Sequence, residues 1–267
     1  MTGPVYGEVV RVARLTPGLV RLVFGGQGLD GFTPVPWSDA YVNAQFPPAA
    51  APYAVPFSPD LVRQLPRDQQ PCSRRYTVRR WDSGRRELTI DVVVHGDVGV
   101  AGRWAQTARP GDRLQFTGPS GAYAPDPQAD WHLLVGDASA LPAIAASIEQ
   151  VPAGCPTLVV LEVDGPAYEL ELESPGALQV HWVHGTGTDD LLARTVAATT
   201  LPTGRGQAFV HGEAAATRAV RAHLLRHRVV RREDLSASPY WRREMTDEQW
   251  RSVKAAWQRE VEQDVPA

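Results

Sequence analysis

Six consecutive residues, 74 to 79, carry side chains that could bind one elongated ligand. Arg74 offers a planar fork of N–H donors for phosphate oxygens. Tyr76 offers a flat face for stacking, and the Thr77 hydroxyl offers a short-range hydrogen bond. Flavin adenine dinucleotide (FAD) combines a diphosphate, a ring system and ring heteroatoms in this way. The segment alone leaves open a simpler interpretation, a strand whose arginines only face water.

The residues before Pro125 are predicted to form short strands separated by Gly and Pro turns. The candidate strands are Glu8–Arg14, Leu19–Phe24, Ala40–Gln45, Arg75–Trp81, Glu87–Val94 and Arg113–Thr117. Six strands at this spacing favour a closed antiparallel barrel. One helix, residues 100–108, is predicted to interrupt them and to stop at Pro110-Gly111. Residues 47–71, rich in proline and polar side chains, are predicted as a long excursion of this barrel.

After Gln128 apolar strands alternate with helical patterns, which indicates a parallel sheet with crossover helices. The predicted strands are Trp131–Val135, Thr157–Val163, Gln179–Val183 and Gln207–Val210, and the predicted helices are Leu141–Gln150, Asp190–Ala198 and Ala214–His227. A last helix is predicted from Thr246, with a capping box to Gln249 and an apolar stripe of Trp250, Val253, Trp257 and Val261. The sequence therefore predicts a two-domain β plus α/β chain, with a barrel domain over residues 1–127 and an α/β domain over 128–267.

Composition limits the class of protein. The chain has 267 residues, 43% of them hydrophobic, and a formal net charge of −3, so it lacks the basic footprint of a nucleic-acid-binding protein. Cys72 and Cys155 are far apart and have no metal-ligand spacing, which favours a reducing compartment. We see no signal peptide and no apolar run long enough to cross a bilayer. These features predict a cytoplasmic protein.

Two glycine-rich segments could bind phosphate. Gly26-x-Gly28-x-x-Gly31 matches a dinucleotide fingerprint, but Pro34 and Pro36 follow, so the helix that the fingerprint requires cannot start there. The better candidate is residues 99–102, between a strand and a helix, where free backbone N–H groups can meet an anion.

Several motifs, taken together and in order, resemble the siderophore-interacting protein family. They are Arg74-x-Tyr76-Thr77-x-Arg79, Asp91 to Gly99 followed by Trp104-Ala105, Gly118 to Asp126, Gly136 to Ala143, Gly212-Glu213, and Tyr240-Trp241-Arg242 before Thr246-Asp247-Glu248. Members are FAD-containing ferric-siderophore reductases built like ferredoxin reductases. The resemblance implies FAD on the barrel domain and NADH or NADPH on the α/β domain, with the redox chemistry supplied by the cofactors and not by a catalytic side chain or bound metal.

The resemblance also implies which residues meet each ligand. The predicted cofactor-binding residues are Arg74, Tyr76, Thr77, Val78, Asp91, His95, Gly99, Val100, Ala101, Gly102, Trp104, Tyr123, Gly136, Asp137, Ser139, Gly212, Glu213, Tyr240 and Trp241. Thr77 is expected near the reactive edge of the flavin. Asp137 is expected to hold a ribose hydroxyl or only to cap, and Ser139 to cap the next helix. The predicted substrate-binding residues are Asn43, Ser120, Arg242 and Arg243.

The chain departs from the family at two of these positions. Relatives commonly have lysine where this chain has Asn43, and many have arginine where it has Ser120. Three hypotheses therefore stay open: a ferric-siderophore reductase, a flavoenzyme on the same scaffold that acts on an organic substrate, and a flavin- or ligand-binding protein without turnover. The first hypothesis leads, and the two neutral residues are the feature that most favours the second.

Overall fold

A computed structural model of the protein describes residues 3–94, 99–185, 188 and 190–264. The chain forms two compact units, Met1–Ala122 and Tyr123–Ala267. The domain boundary predicted between residues 127 and 128 lies a few residues beyond this division.

The first unit is built on one antiparallel sheet. Its strands are β1 (Val5–Thr16), β2 (Leu19–Gly25), β3 (Tyr41–Phe46), β4 (Cys72–Thr77), β5 (Arg80–Asp82), β6 (Glu87–Val93) and β7 (Arg113–Ser120). They follow the order β4-β3-β7-β1-β2-β6-β5. Its helices are α1 (Pro59–Arg63), within the predicted excursion, and α2 (Val100–Thr107), and short 3-10 turns lie at Gln27–Leu29 and Arg67–Gln69.

The two ends of this strand order are one continuous piece of chain. The Val78 N–H donates to the Ala40 carbonyl at 2.7 Å, which prolongs the pairing of β4 with β3, and the next N–H, of Arg79, donates to Thr89 at 3.0 Å beside β6. The sheet therefore closes, and the predicted barrel is confirmed. The predicted strand Arg75–Trp81 was wrong in one respect, because it changes pairing partner after Thr77. The described residues accordingly contain seven barrel strands instead of six.

Strand alternation determines which side chains fill the barrel. On β3, Val42, Ala44 and Phe46 are buried, whereas the residues between them are half-exposed. From the outer side of the barrel core, Ala101 and Ala105 of α2 pack against it. The predicted helix is thus confirmed, and its first turn is held beside the end of β6.

The second unit contains a parallel sheet with helices. Its strands are β8 (Trp131–Asp137), β9 (Pro156–Val163), β10 (Ala177–His184), β11 (Gly206–Glu213) and β12 (Leu235–Trp241), in the order β10-β9-β8-β11-β12. Its helices are α3 (Leu141–Ile148), α4 (Leu191–Ala198), α5 (Ala214–Arg226) and α6 (Asp247–Gln263), with 3-10 turns at Pro166–Tyr168 and Arg232–Asp234. The predicted alternation of strands and helices is confirmed.

Strand β12 was not predicted from the sequence. Its residues read Leu-Ser-Ala-Ser-Pro-Tyr-Trp, which has low strand propensity. A proline is nevertheless tolerated because β12 is an edge strand of the sheet. Pairing with β11 supplies the order that local propensity lacks.

Helix α6 begins with the predicted capping box. Gln249 N donates to Thr246 Oγ1 at 3.2 Å, and Thr246 N donates to Gln249 Oε1 at 2.8 Å. Buried Trp250, Trp257 and Val261 pack with Ala214 of α5. Val253 is 37% exposed, so the predicted stripe was one residue too wide. At 100° per residue Val253 lies to one side of the line through the other three.

Polar contacts fix both halves of α6. Lys254 Nζ donates to the Pro239 carbonyl of β12 at 2.6 Å. Near the helix end, the Arg218 guanidinium of α5 donates twice to Asp264, at 2.5 and 2.6 Å. Within the residues that the structure describes, no helix has the length and apolar character needed to span a bilayer.

Candidate functional site

Strand β4 presents its side chains on two faces. Arg74 and Tyr76 share one face, because they lie opposite the inward-pointing Ala44 and Val42 of β3. The Tyr76 ring is half-buried and meets the Phe46 ring edge-on, with centroids 6.2 Å apart. Arg74 is half-buried as well, and its Nη1 donates to the Ser73 carbonyl at 3.0 Å. Tyr76 thus keeps part of its ring accessible while its other edge is held by the barrel core.

Thr77 and Val78 are placed differently from Tyr76. Thr77 is 8% exposed and, by strand alternation, lies on the face opposite Tyr76. Val78 packs against the barrel core. A contact of Thr77 with a flavin edge stays a prediction.

The opposite face of β4 carries a cation that the sequence analysis did not single out. Arg75 lies directly across from Asn43, and its guanidinium carbon is 5.5 Å from the centroid of the Tyr41 ring. Tyr41 in turn lies across from Ser120 of β7. Arg75 is exposed. The two neutral positions, Asn43 and Ser120, therefore flank an arginine stacked on a tyrosine, an arrangement that depends on the pairing register of β3 with β4.

The Asp91 carboxylate is engaged within the barrel. It is 3% exposed and accepts two hydrogen bonds from Arg21, its cross-strand partner on β2, both at 2.7 Å. Arg79 Nε lies 4.0 Å from the same carboxylate. This arrangement gives Asp91 an architectural role, while its predicted role in cofactor binding stays a prediction.

The start of α2 fits a phosphate group. Gly99 has a φ of +86°, which a residue with a side chain rarely adopts, and a Cβ placed on it would meet nothing within 4 Å. In the described part of the chain no side chain caps this helix. The backbone N–H groups of Val100, Ala101 and Gly102 at its start therefore have no capping side chain as acceptor. An uncapped helix start with open space before it can take an anion. The predicted site residue His95 lies outside the described residues.

Two predicted aromatic site residues are packed inside their own units. Trp104 of α2 stacks near Phe24 at 6.4 Å and meets Phe46 edge-on at 5.7 Å, within the barrel core. Tyr123 is 4% exposed and its ring lies 4.8 Å from that of Phe209 in the second unit. Both side chains support their units from within, and a direct contact of either with a cofactor stays a prediction.

Three neighbouring strands end together at the carboxyl edge of the parallel sheet. β8 ends with Gly136-Asp137, β11 with Gly212-Glu213 and β12 with Tyr240-Trp241. In open α/β sheets ligands bind at this edge. The structure thus brings the predicted nicotinamide-site residues of the second unit to one place.

Asp137 is at the centre of this edge. Its Oδ1 accepts from Ser139 N at 2.8 Å and Ser139 Oγ at 2.5 Å, and its Oδ2 accepts from Glu213 N at 2.7 Å and Trp241 Nε1 at 2.8 Å. The expectation that Ser139 caps α3 was wrong, because Ala140 is the N-cap residue and the Ser139 hydroxyl donates to Asp137 instead. The Asp137–Trp241 bond joins residues 104 positions apart, and no local sequence signal could have indicated it.

Glu213 is the N-cap of α5. It is 4% exposed, and its Oε2 accepts from Ala215 N at 2.6 Å and Ala216 N at 3.0 Å. Its Oε1 accepts from Arg243 N at 3.2 Å, which fixes the chain just after β12. Arg242 and Arg243 are half-buried there. Glu244 has a φ of +61°, a left-handed backbone conformation that glycine adopts more easily than a residue with a side chain.

A buried histidine lies behind the edge. His211 Nε2 is 3.0 Å from Ser236 Oγ, and the His211 ring stacks on Phe209 with centroids 3.7 Å apart. Burial, together with the charge of Lys254, lowers the pKa of His211 to about 3. The imidazole is therefore neutral at physiological pH.

The two units match two domain families. Residues 8–123 match the siderophore-interacting FAD-binding domain, and residues 129–244 match the siderophore-interacting protein model. The ferric vibriobactin reductase ViuB of Vibrio cholerae is 32% identical over 90% of both chains. The NADPH-dependent ferric-chelate reductase of Escherichia coli is 38% identical over 53% of this chain and 54% of its own. The crystal structure of a siderophore utilization protein from T. fusca has a TM-score of 0.77 and 36% identity, covering 91% of this chain and 94% of that one.

Fold likeness extends further than sequence likeness. The ferredoxin reductase in carbazole 1,9a-dioxygenase has a TM-score of 0.65 at 16% identity, covering 88% of this chain and 67% of that one, which is a likeness of fold alone. The barrel, the parallel sheet and the FAD-binding match together define a class of two-domain proteins with a ferredoxin-reductase-like fold. Within this class, the chain belongs to the siderophore-interacting protein family.

Proposed function

We propose that the protein is an FAD-dependent oxidoreductase that uses NAD(P)H to reduce the ferric iron of a siderophore, which releases the iron as Fe²⁺. One observation carries the proposal. The region that matches the FAD-binding domain contains both the Arg74–Tyr76 face and the uncapped helix start at Gly99. A charged fork, a flat ring and free backbone donors are the groups that a dinucleotide with a flat ring requires. The reductase names of two relatives support the reaction.

When bound, the flavin would supply the redox chemistry, since it can accept a hydride from a reduced nicotinamide and give single electrons to ferric iron. The residues of this chain bind and orient. Arg74 and the amides at the start of α2 would hold the diphosphate, and Tyr76, whose own ring meets Phe46 edge-on, would stack on the flavin ring. Substitutions here should lower FAD occupancy without removing an acid or base.

We assign the nicotinamide cofactor to the carboxyl edge of the second unit. The groups that could contact the cofactor there are the exposed indole of Trp241 and the strand ends at Gly136 and Gly212. The name of the E. coli relative favours NADPH over NADH. A comparison of the two nucleotides in the same reduction assay tests this choice.

The iron chelate is assigned to the outer face of β3 and β4, where Arg75 lies over Tyr41 beside Asn43. Iron chelates of this kind are commonly anionic, and Arg75 restores one positive charge to a face that has Asn43 and Ser120 where relatives are basic. One exposed charge at close range is worth about 1 kcal/mol, roughly a fivefold change in affinity. Arg242 and Arg243, half-buried after β12, are further basic groups assigned to substrate binding.

The proposal is tested with FAD-reconstituted protein under anaerobic conditions. NADPH or NADH should bleach the flavin band, and a ferric siderophore added afterwards should restore it while a ferrous-specific dye gains colour. Protein that takes up no FAD, or flavin that neither nucleotide reduces, would contradict the oxidoreductase assignment.

Charge variants sharpen the substrate assignment. Arg75→Gln should raise KM for an anionic ferric chelate about fivefold, and Asn43→Lys should lower it by a similar factor. The matched control is Arg14→Gln, which removes another exposed barrel arginine on β1 and should leave KM unchanged. Equal effects of Arg75→Gln and Arg14→Gln would rule out a specific role for Arg75.

A second candidate function is reduction of an organic acceptor on the same scaffold. The neutral Asn43 and Ser120 favour it, because they remove two positive charges from the assigned substrate face. Flavin that NADPH bleaches but that no ferric chelate reoxidises would favour this candidate over the first.

A further inference from the structure

The Asp137 carboxylate has no acceptor position left for a ligand. A carboxylate has about four lone-pair sites, and four protein donors fill them: Ser139 N, Ser139 Oγ, Glu213 N and Trp241 Nε1. A ribose hydroxyl would have to displace one of these donors and leave it unpaired. The Asp137 carboxylate at the end of β8 is thus hydrogen-bonded to the ends of β11 and β12.

The backbone of β11 is shaped to admit this carboxylate. Gly212 has a φ of +141°, and a Cβ placed on it would lie 2.7 Å from Asp137 Oδ2. The pairing of β11 with β12 shifts between Gly212 and Glu213, so that Glu213 pairs with Trp241. The shift and the missing side chain bring the Trp241 indole N–H within hydrogen-bonding distance of Asp137.

Trp241 is exposed and at the same time fixed. The residue is 41% exposed, yet Nε1, the only polar atom of its side chain, donates a hydrogen bond to Asp137 at 2.8 Å. An exposed indole held in one orientation presents a flat apolar face at little further cost in conformational entropy on binding. That face lies at the sheet edge where ligands of α/β sheets bind.

We propose that Asp137 is a positioning residue that holds the Trp241 indole as a stacking platform for a planar ring of the nicotinamide cofactor. This inference rests on the proposed function, because it assumes that the second unit binds NADPH or NADH. Asp137 then acts on the cofactor through Trp241 and does not bind its ribose.

A double-mutant cycle on NADP⁺ binding separates the two roles of Asp137. Affinity is measured by isothermal titration calorimetry, which needs no turnover. Trp241→Leu and Asp137→Asn should each weaken binding about tenfold, whereas Trp241→Phe, which keeps a flat ring, should weaken it less. In the Trp241→Phe background, Asp137→Asn should cost less than about twofold further, because the indole N–H that it serves is absent. A tenfold loss in both backgrounds would show a direct ribose contact and overturn the inference.

Trp37→Leu is the matched control for Trp241→Leu, because Trp37 is also 41% exposed and belongs to the first unit. It should leave NADP⁺ affinity within about twofold of wild type. Unchanged affinity in Trp241→Leu would overturn this inference alone. A wild-type protein that binds neither NADP⁺ nor NAD⁺ would overturn the proposed function and this inference with it.

A second measurement uses the wild-type protein and does not depend on whether Asp137→Asn folds. Hydrogen exchange of the Trp241 indole N–H should be slower than that of Trp37, which is also 41% exposed. In the described part of the chain, no acceptor bonds the Trp37 indole. NADP⁺ should slow the Trp241 exchange further and leave that of Trp37 unchanged. Equal exchange at the two indoles would show that Asp137 does not hold Trp241.

Discussion

Charged residues are used in opposite ways in the two units. On β4 of the barrel, Arg75 is exposed and rests only its guanidinium on the Tyr41 ring. At the carboxyl edge of the second unit, Asp137 accepts four hydrogen bonds and Glu213 accepts three, all from the protein itself. The barrel face thus leaves its charge exposed, whereas the sheet edge uses its charge internally and exposes an indole face. A residue type suited to ligand binding therefore indicates a site only when its local donors and acceptors leave it available.

The barrel also contains a buried carboxylate, that of Asp91, which forms an ion pair with Arg21. Removal of this carboxylate should have the largest effect on stability. Asp91→Asn should lower the free energy of unfolding by about 3 kcal/mol, since it leaves the two arginines near it without a buried counter-charge. The control is Glu87→Gln on the same strand. Its partner Arg11 is largely exposed, so the loss should stay below about 1 kcal/mol. Urea denaturation measures both, and equal losses would remove the distinction between buried and exposed pairs.

The next largest effect should come from the sheet edge. Glu213→Ala removes the acceptor for Ala215 N, Ala216 N and Arg243 N in a buried position, and should cost about 2 kcal/mol. Thr246→Ala removes the exposed cap of α6 and should cost about 1 kcal/mol or less. Thermal and urea unfolding of both variants would show whether the buried cap is the stronger. A weaker effect at Glu213 would contradict a structural use of its carboxylate.

The buried histidine predicts a dependence of stability on pH. Its folded-state pKa of about 3 is below the unfolded value of 6.5, so below pH 6.5 the unfolded chain binds a proton that the folded chain does not. Stability should therefore fall as the pH drops from 6.5 towards 3, by up to about 1.4 kcal/mol per pH unit. His211→Asn should remove this part of the slope, measured as urea unfolding at several pH values. An unchanged slope in His211→Asn would contradict the burial of a neutral imidazole at this position.

The smallest effect tests backbone strain beside the edge. Glu244→Gly should stabilise the protein by about 0.5 kcal/mol, because relief of a left-handed residue outweighs the entropy that glycine adds to the unfolded chain. Arg228→Gly relieves a similar φ of +51° at the end of α5, away from the edge, and should gain about as much. Destabilisation by Glu244→Gly alone would show that its side chain contributes to the edge.

Sequence predicted those parts of the molecule in which local pattern and structure agree. Strand patterns placed β3 and part of β4, and the Thr246–Gln249 pair placed the start of α6. The break after Thr77 could not be predicted, because it arises when the chain changes its pairing partner from β3 to β6. Strand β12 was missed because its order comes from pairing with β11 and not from its own residues.

The candidate site shows the same division. Arg74, Tyr76 and Gly99 were chosen for side-chain chemistry or backbone freedom that local sequence contains. The use of Asp137 depends on Trp241, and the relevance of Arg75 depends on its register with Asn43, so both needed the three-dimensional structure. Long-range hydrogen bonds and strand register are tertiary properties that no local window contains.

The position of β7 in the barrel has a consequence for the order in which the protein folds. β7 is the last barrel strand in the chain, yet it lies between β3 and β1 and pairs with both. While the ribosome has released only the residues before Arg113, β1 and β3 have unpaired edges that face no partner. Closure then requires contacts between residues that are about 70 to 110 positions apart, which are slow to form. Until β7 is added, the nascent barrel therefore has two exposed strand edges that could pair with other chains. Pairing of β7 with β1 and β3 covers both edges.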